Sequence, residues 1–227
     1  MPPSRSSLHS PVRSGEPGVD CRLCPRLAAY RDANRVLMPE GFNAPVPSFG
    51  SESGRLLILG LAPGLNGANR TGRPFTGDYA GDLLYATLNT FGLSEGVYSG
   101  SMDDGVRLPD ALISNAVRCV PPENKPTGQE INACRPFLTD RIETMPQLKM
   151  ILALGRIAHD SALRALEIRP AQAPFGHGRR HALTAGGRSI TLYDSYHCSR
   201  YNTNTGRLTE AMFHDVFRSI AAELKAT

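Results

Sequence analysis

Residues 55–60 read Arg-Leu-Leu-Ile-Leu-Gly, and a glycine-rich loop follows at once, running through Gly60, Gly64, Gly67, Gly72, Phe75, Gly77 and Asp78. The apolar run is short, unbroken and closed by glycine. A strand buried on both faces of a parallel sheet reads this way. The pattern recurs at 111–117 (Ala-Leu-Ile-Ser-Asn-Ala-Val), at 150–155 (Met-Ile-Leu-Ala-Leu-Gly) and, more weakly, at 189–193 (Ser-Ile-Thr-Leu-Tyr). Helical spacing fills the intervals. Leu83, Leu84, Ala86, Leu88 and Phe91 mark a helix over 80–91, and another follows over 156–167. Met212, Phe213, Val216, Phe217, Ile220 and Leu224 form one stripe of the last helix. Thr127 and Glu130 form a capping box opening a short helix, and Pro136 begins a new helical segment to about Met145. Pro25 suits the first turn of a helix through Leu27, Ala28 and Tyr30. Strands alternating with helices predict an α/β protein with helices on both faces of a mostly parallel sheet. Ligands in such sheets bind beyond the carboxyl ends of the strands. The loops after Gly60, Val117 and Tyr193 are therefore the ones to read for chemistry.

At 227 residues the chain is long enough for one sizeable domain with its own core. We expect a mobile tail over 1–20, rich in Ser, Pro, Gly and Arg, and a single domain over 21–227. The formal charge is +4, from 25 basic and 21 acidic residues, which permits a polyanionic partner without requiring one. No run of about 18 apolar residues is present, and the N-terminal stretch lacks the apolar segment of a secretory signal. A cytoplasmic location is expected, where thiols stay reduced.

Five cysteines in such a setting point to ligation or to buried thiols rather than to disulfides. Cys21 and Cys24 form a CxxC beside a helix start, and Cys119 and Cys134 are separated by 14 residues. Two thiolates on one side of a turn suit a sulfur cage that the second pair would close. Spacing alone does not choose between zinc and an iron–sulfur cluster. A redox CxxC would need a strand before it, and only the tail precedes Cys21. Cys198 follows His197, but a catalytic Cys–His pair is a spatial relation, so adjacency carries nothing.

The loop after the first strand fits neither a Walker A sequence nor GxGxxG. Its five glycines from Gly60 to Gly77 allow close approach of a planar ligand. Phe75 reads either as core or as a stacking surface for a planar ring. Asp78 reads either as a helix cap or as a working carboxylate. Arg70 and Arg73 are expected to be solvated. In the loop after the last strand, His197 is accompanied by Ser199, Arg200, Tyr201 and Asn202, all hydrogen-bonding types. The segment 177–181, with two histidines and two arginines, is expected to be a solvated hairpin.

Taken together, Cys-Arg-Leu-Cys at 21–24, the run 60–81, Asn-Ala-Val-Arg-Cys-Val-Pro-Pro-Glu-Asn-Lys-Pro-Thr at 115–127, the position of Cys134 and the run 195–209 resemble the iron–sulfur uracil-DNA glycosylases, and among them the b-type, or fifth, family. The likeness spans nearly everything after the tail. It implies a three-layer α/β/α sandwich with a central four-stranded parallel sheet. It implies a structural [4Fe-4S] cluster on Cys21, Cys24, Cys119 and Cys134, with Cys198 outside the ligand set. It places Phe75 against the extruded base, Asp78 on a water and His197 on the base carbonyl. Gly60, Ala62, Gly64, Asn115 and Ser199 would complete the base site, and Asn202 would lie in the loop that enters the duplex. Three departures stand out. Leu61 occupies the position where a-type relatives carry an acid, which shifts the load to Asp78. The usual His-Pro-Ser is His197-Cys198-Ser199. Asn115 stands where a-type enzymes place a base-reading asparagine.

The chemistry asks for few groups. A base leaving as an anion needs a donor at its carbonyl, and a sugar becoming cationic favours a nearby carboxylate. No lysine stands in the two loops, so a monofunctional enzyme that leaves an abasic site is expected rather than a Schiff-base lyase. Uracil is the expected substrate, with hypoxanthine and xanthine as further ones. DNA, single- or double-stranded, is the expected partner of a monomeric enzyme. Two alternatives remain open at this level: a non-catalytic binder of damaged DNA, and a zinc-stabilised hydrolase of small nucleosides.

Overall fold

The computed structural model describes residues 15–226. Of the tail expected over 1–20, residues 1–14 lie outside the described residues. Gly15 is buried, and the Glu16 carboxylate pairs with Arg118 and Arg141 at 3.1 Å each, so the chain joins the packed body from there.

In chain order the elements are α1 (Pro25–Leu37), β1 (Phe49–Gly50), β2 (Leu56–Gly60), α2 (Ala68–Thr71), α3 (Tyr79–Thr90), β3 (Ala111–Asn115), α4 (Gly128–Thr144), β4 (Met150–Leu154), α5 (Arg156–Ala165), β5 (Arg180–Ala185), β6 (Arg188–Ser195), α6 (Arg200–Asn204) and α7 (Glu210–Ala226). The sheet order is β1-β3-β2-β4-β6-β5. The four expected strands, β3, β2, β4 and β6, are mutually parallel. Two antiparallel edges extend them, β1 on β3 and β5 on β6, so the sheet is mixed and six-stranded rather than four-stranded. β1 is only two residues long, and β5 alternates exposed with half-buried positions, so neither carries the continuous apolar run of a central strand.

Successive strand residues point to opposite faces, and this divides the core in two. On one face Leu56, Ile58, Ile113, Leu152 and Tyr193 pack against Leu84 and Leu88 of α3 and Phe213, Phe217 and Ile220 of α7. On the other, Leu57, Leu59, Leu112, Ile151 and Leu192 pack against Leu138 and Ile142 of α4 and Ala158, Ala162 and Leu163 of α5. The three-layer α/β/α sandwich results. No helix among the described residues is long and apolar enough to cross a membrane.

Two local expectations are corrected. α4 is one helix from Gly128 to Thr144 with Pro136 inside it. Pro136 lies on the exposed side, while Cys134, Leu138, Arg141 and Ile142 keep one buried face, and that packing offsets the backbone bond proline cannot make. Arg73 is not solvated. Its side chain is 2% exposed and bonded to Asp104, as described below. Arg70 is exposed, as expected.

Candidate active site

The carboxyl ends of β2, β3 and β6 open on one cleft of about 770 Å³. Ala62, Gly64, Phe75, Asp78, Asn115, His197 and Ser199 all line it, as do Leu61, Asn66, Tyr79, Asn124 and Arg200. Its floor is set by strand pairing. Gly60 and Asn115 are register partners at the ends of β2 and β3. A Cβ on Gly60 would stand 2.4 Å from the Asn115 Oδ1 and 2.7 Å from the Phe75 Cζ, so only glycine lets the phenyl ring and the amide meet there. Phe75 itself is buried, with φ at 52°, a left-handed conformation that non-glycine residues rarely hold. Phe75 thus packs in the core and also lines the cleft.

Asp78 likewise does two things. Its Oδ1 accepts the Gly81 N–H at 3.0 Å and caps α3. Its Oδ2 faces Gly67, where a Cβ would come within 2.5 Å, and has no hydrogen-bond partner among the described residues. One oxygen is thus fixed by the helix and the other is open to the cleft.

His197 arrives from the opposite wall, on the loop between β6 and α6. Its ring centroid is 5.8 Å from that of Phe75, with the planes 27° apart. Burial pushes its pKa below the ordinary value, and the Asp78 charge only partly opposes this, so the imidazole is neutral at pH 7 and carries a single N–H. The adjoining residues hold the loop. The Cys198 thiol is buried and donates to the Ala80 carbonyl at 3.4 Å, tying the loop to the first turn of α3. Burial and the Asp78 charge raise its pKa far above that of a free thiol, which makes it a tether and a poor nucleophile. Asn202 does not line the cleft. Its amide donates to the His197 carbonyl at 2.8 Å, and it borders a second cavity with Arg156, Phe175, Tyr196 and Arg207. In that cavity Arg207 lies 4.6 Å over the Tyr196 ring and Arg156 5.5 Å over Phe175.

Sequence reasoning passed over Asn66 and Tyr79, and took Arg200 only as one of the hydrogen-bonding residues after His197. Arg200 sits 5.4 Å over the Tyr79 ring at the cleft, and its only linear signal was a basic residue directly after the His-Cys-Ser run.

The segment 177–181 is solvated only in part: Gly178, Arg179 and Arg180 are exposed where the chain turns into β5, whereas His177 and His181 are half-buried. His181 contributes to a cluster behind the His197 loop: its Nε2 lies 3.1 Å from the Asp194 Oδ2, and the His159 Nδ1 lies 2.6 Å from the Asp194 Oδ1. The His159 Nε2 lies 2.8 Å from the Ala173 carbonyl. A carbonyl and a carboxylate only accept, so both ring nitrogens of His159 donate and the ring is an imidazolium. Burial works against that charge, but the Asp194 bond and charge outweigh it, and the His159 pKa lies above the ordinary value. Both ring nitrogens of His159 are thus engaged, and the residue braces α5 against β6 and the chain at Ala173. His177 stacks on Tyr196 with centroids 5.0 Å apart.

Cys21, Cys24, Cys119 and Cys134 border a single small apolar cavity together with Leu27, Val117 and Phe137. Burial first, and then the neighbouring thiols, push Cys24 up to about 11 and Cys119 up to about 12. The Arg118 backbone N–H points at the Cys134 sulfur, 3.4 Å away.

Against known proteins, the family model of the Uracil DNA glycosylase superfamily matches residues 47–221. A type-5 uracil-DNA glycosylase of Thermus thermophilus is 46% identical over 201 residues, 86% of this chain and 90% of that protein. One from Mycobacterium bovis is 43% identical over 206 residues, covering 87% and 76%. One from Pyrobaculum aerophilum is 39% identical over 209 residues, covering 90% and 89%.

Proposed function

The chain belongs to the uracil DNA glycosylase superfamily, with type-5 enzymes among its relatives, and from that premise we propose that it hydrolyses the N-glycosidic bond of uracil in DNA and leaves an abasic site. The observation that carries this reading is that Phe75, Asp78, Asn115 and His197 share one cleft at the carboxyl edge of the sheet. A base turned out of the helix stacks on the Phe75 ring and meets the Asn115 amide with one polar edge. The C1′–N1 bond breaks with its electron pair going to the base, and charge builds on the carbonyl oxygens. The neutral His197 N–H donates to one of them, a contribution of about 2.7–4 kcal/mol for a preorganised donor. The free Oδ2 of Asp78 holds a water, balances the cationic sugar and takes the proton as water adds to C1′. No lysine is among the residues lining the cleft, which favours simple hydrolysis over a Schiff-base route. Hypoxanthine and xanthine are further substrates, because a ring stack with one reading amide tolerates other deaminated bases.

The neighbouring Arg156 and Arg207, each on an aromatic ring, suit the phosphodiester beside the extruded nucleotide. Within the loop that would enter the duplex, Tyr201, 72% exposed, suits the vacated stack, while the Asn202 amide is turned back on the His197 carbonyl.

Cys21, Cys24, Cys119 and Cys134 would hold a [4Fe-4S] cluster. The four thiols border one small apolar cavity, and burial together with the neighbouring thiols raises the pKa of Cys24 and Cys119, a strain that thiolate ligation to iron would relieve. Its contribution is structural, joining the start of α1, the loop after β3 and α4.

The test is a panel of oligonucleotides carrying uracil, hypoxanthine, xanthine or mismatched thymine, incubated with iron-loaded protein absorbing near ~400 nm. Uracil release is expected to be fastest, with slower release of hypoxanthine and xanthine. Protein that binds the panel and releases none of these bases would leave a non-catalytic binder as the reading.

A further inference from the structure

The backbone that carries Phe75 and leads into Asp78 is held by an unusual number of side chains. The Tyr85 hydroxyl donates to the Pro74 carbonyl at 3.1 Å, and Thr71 Oγ1 to the Thr76 carbonyl at 3.1 Å. The Tyr98 hydroxyl accepts the Gly77 N–H at 3.2 Å and donates to the Phe75 carbonyl at 3.4 Å. Tyr98 comes from the segment between α3 and β3, closed by a bridge between Glu95 and Arg107. What fixes that segment is a buried ion pair. The Arg73 guanidinium gives two parallel bonds of 2.7 Å to the two oxygens of Asp104, whose side chain is 1% exposed. The same carboxylate accepts the Ser99 and Val106 N–H groups at 3.1 Å. Arg73 Nε donates to Thr76 Oγ1 at 2.7 Å, inside the turn itself. The guanidinium lies within 4.9–5.6 Å of the Phe49, Tyr85 and Tyr98 rings, and Tyr98 stacks on Tyr85 at 4.4 Å.

A burial this costly needs a return. A non-glycine residue at φ 52° persists only where its surroundings over-determine it. We propose that Arg73, Asp104 and Tyr98 are positioning residues for the base pocket: the ion pair locks the 94–107 segment, and its Tyr98 hydroxyl grips the strained turn that aims the Phe75 ring and delivers Asp78. None of the three lines the cleft. They act through Phe75 and Asp78, and the proposal rests on the glycosylase reading of those two residues. The Arg73 bonds hold the Asp104 carboxyl down to about 2, so the clamp stays ionised throughout any practical assay.

Tyr98→Phe tests this with little risk to folding, since the ring stays on Tyr85 and only the hydroxyl goes. Single-turnover uracil release is expected to fall roughly tenfold, as a slightly misdirected group does. Inhibition by free uracil should weaken alongside, while binding to an abasic oligonucleotide and the melting temperature stay near those of the unaltered protein. Asp104→Asn should lower the rate in the same direction and also the melting temperature. A merely structural role predicts the reverse for Tyr98→Phe: a lower melting temperature with the rate and uracil inhibition of the folded enzyme unchanged, and that result overturns the clamp. Full activity in folded Asp104→Asn would remove the ion pair from it. If the unaltered protein releases no uracil at all, the glycosylase reading falls and takes the clamp with it. If the unaltered protein is active and Tyr98→Phe equals it, the clamp alone falls.

Discussion

His197 and His159 sit on either side of the end of β6, and they have been given opposite environments. His197 stands on a cleft wall with Asp78 as its electrostatic neighbour, and burial lowers its pKa. His159 is enclosed between two acceptors, and its pKa is raised. The histidine proposed to donate to a developing anion has its charged form disfavoured by burial, and its ring makes no hydrogen bond among the described residues. A histidine that must hold three segments together is saturated with partners and charged. His159 anchors α5 to β6 and to the 173–176 stretch, whose Gly176 N–H also bonds the Asp194 Oδ2 at 3.2 Å. The proposed donor and the brace behind it use the same side chain in opposite environments.

The sharpest way to break that contrast is at the brace. His159→Leu leaves the Asp194 carboxylate buried with its principal cation gone, which should cost about 3–5 kcal/mol of stability. Calorimetry should show a fall of roughly 6–20 °C in Tm, while the folded fraction still releases uracil at close to the normal rate. Next in size is the converse. His197→Ala should slow uracil release by about 10²–10³-fold with Tm nearly unchanged. If the two substitutions gave the same mixture of lost stability and lost rate, the division of labour would be wrong. The smallest effect is in pH dependence. A histidine whose folded pKa is raised contributes stability that is complete below its unfolded value of about 6.5 and is lost as pH rises through the folded value. The Tm of the unaltered protein should therefore slope downward on the alkaline side, and His159→Leu should flatten that slope. For His197 the sign reverses: burial lowers its pKa, so a loss of single-turnover rate through its protonation is expected only below the ordinary histidine value of about 6.5.

The four parallel strands were legible because strands covered on both faces must be apolar at every position, and Leu56–Gly60 and Met150–Leu154 are buried throughout. The edges were not, since β5 carries Arg180, His181 and Thr184 at alternating exposure and reads as polar chain. The cleft was legible where its residues end a strand or lie in the loop after one, as Asn115 at the end of β3 and Gly64, Asp78 and His197 beyond β2 and β6 do. Arg73 was misread because what buries it is Asp104, 31 residues away in sequence, and a long-range partner leaves no local trace. His159 and His181 went unrecognised for the same reason, as both depend on Asp194. The structural readings of Phe75 and Asp78 do not exclude the working ones: Asp78 caps α3 through one oxygen and leaves the other free of hydrogen bonds among the described residues.

The most direct test of the account is the single-turnover rate of uracil release by Asp78→Asn beside that of the unaltered protein, with affinity for the same oligonucleotide measured in parallel. Asparagine can still cap α3 but cannot take a proton or balance a cationic sugar. The account predicts a loss of at least about a hundredfold in rate with DNA affinity retained. An Asp78→Asn protein that cleaves at the unaltered rate would contradict it.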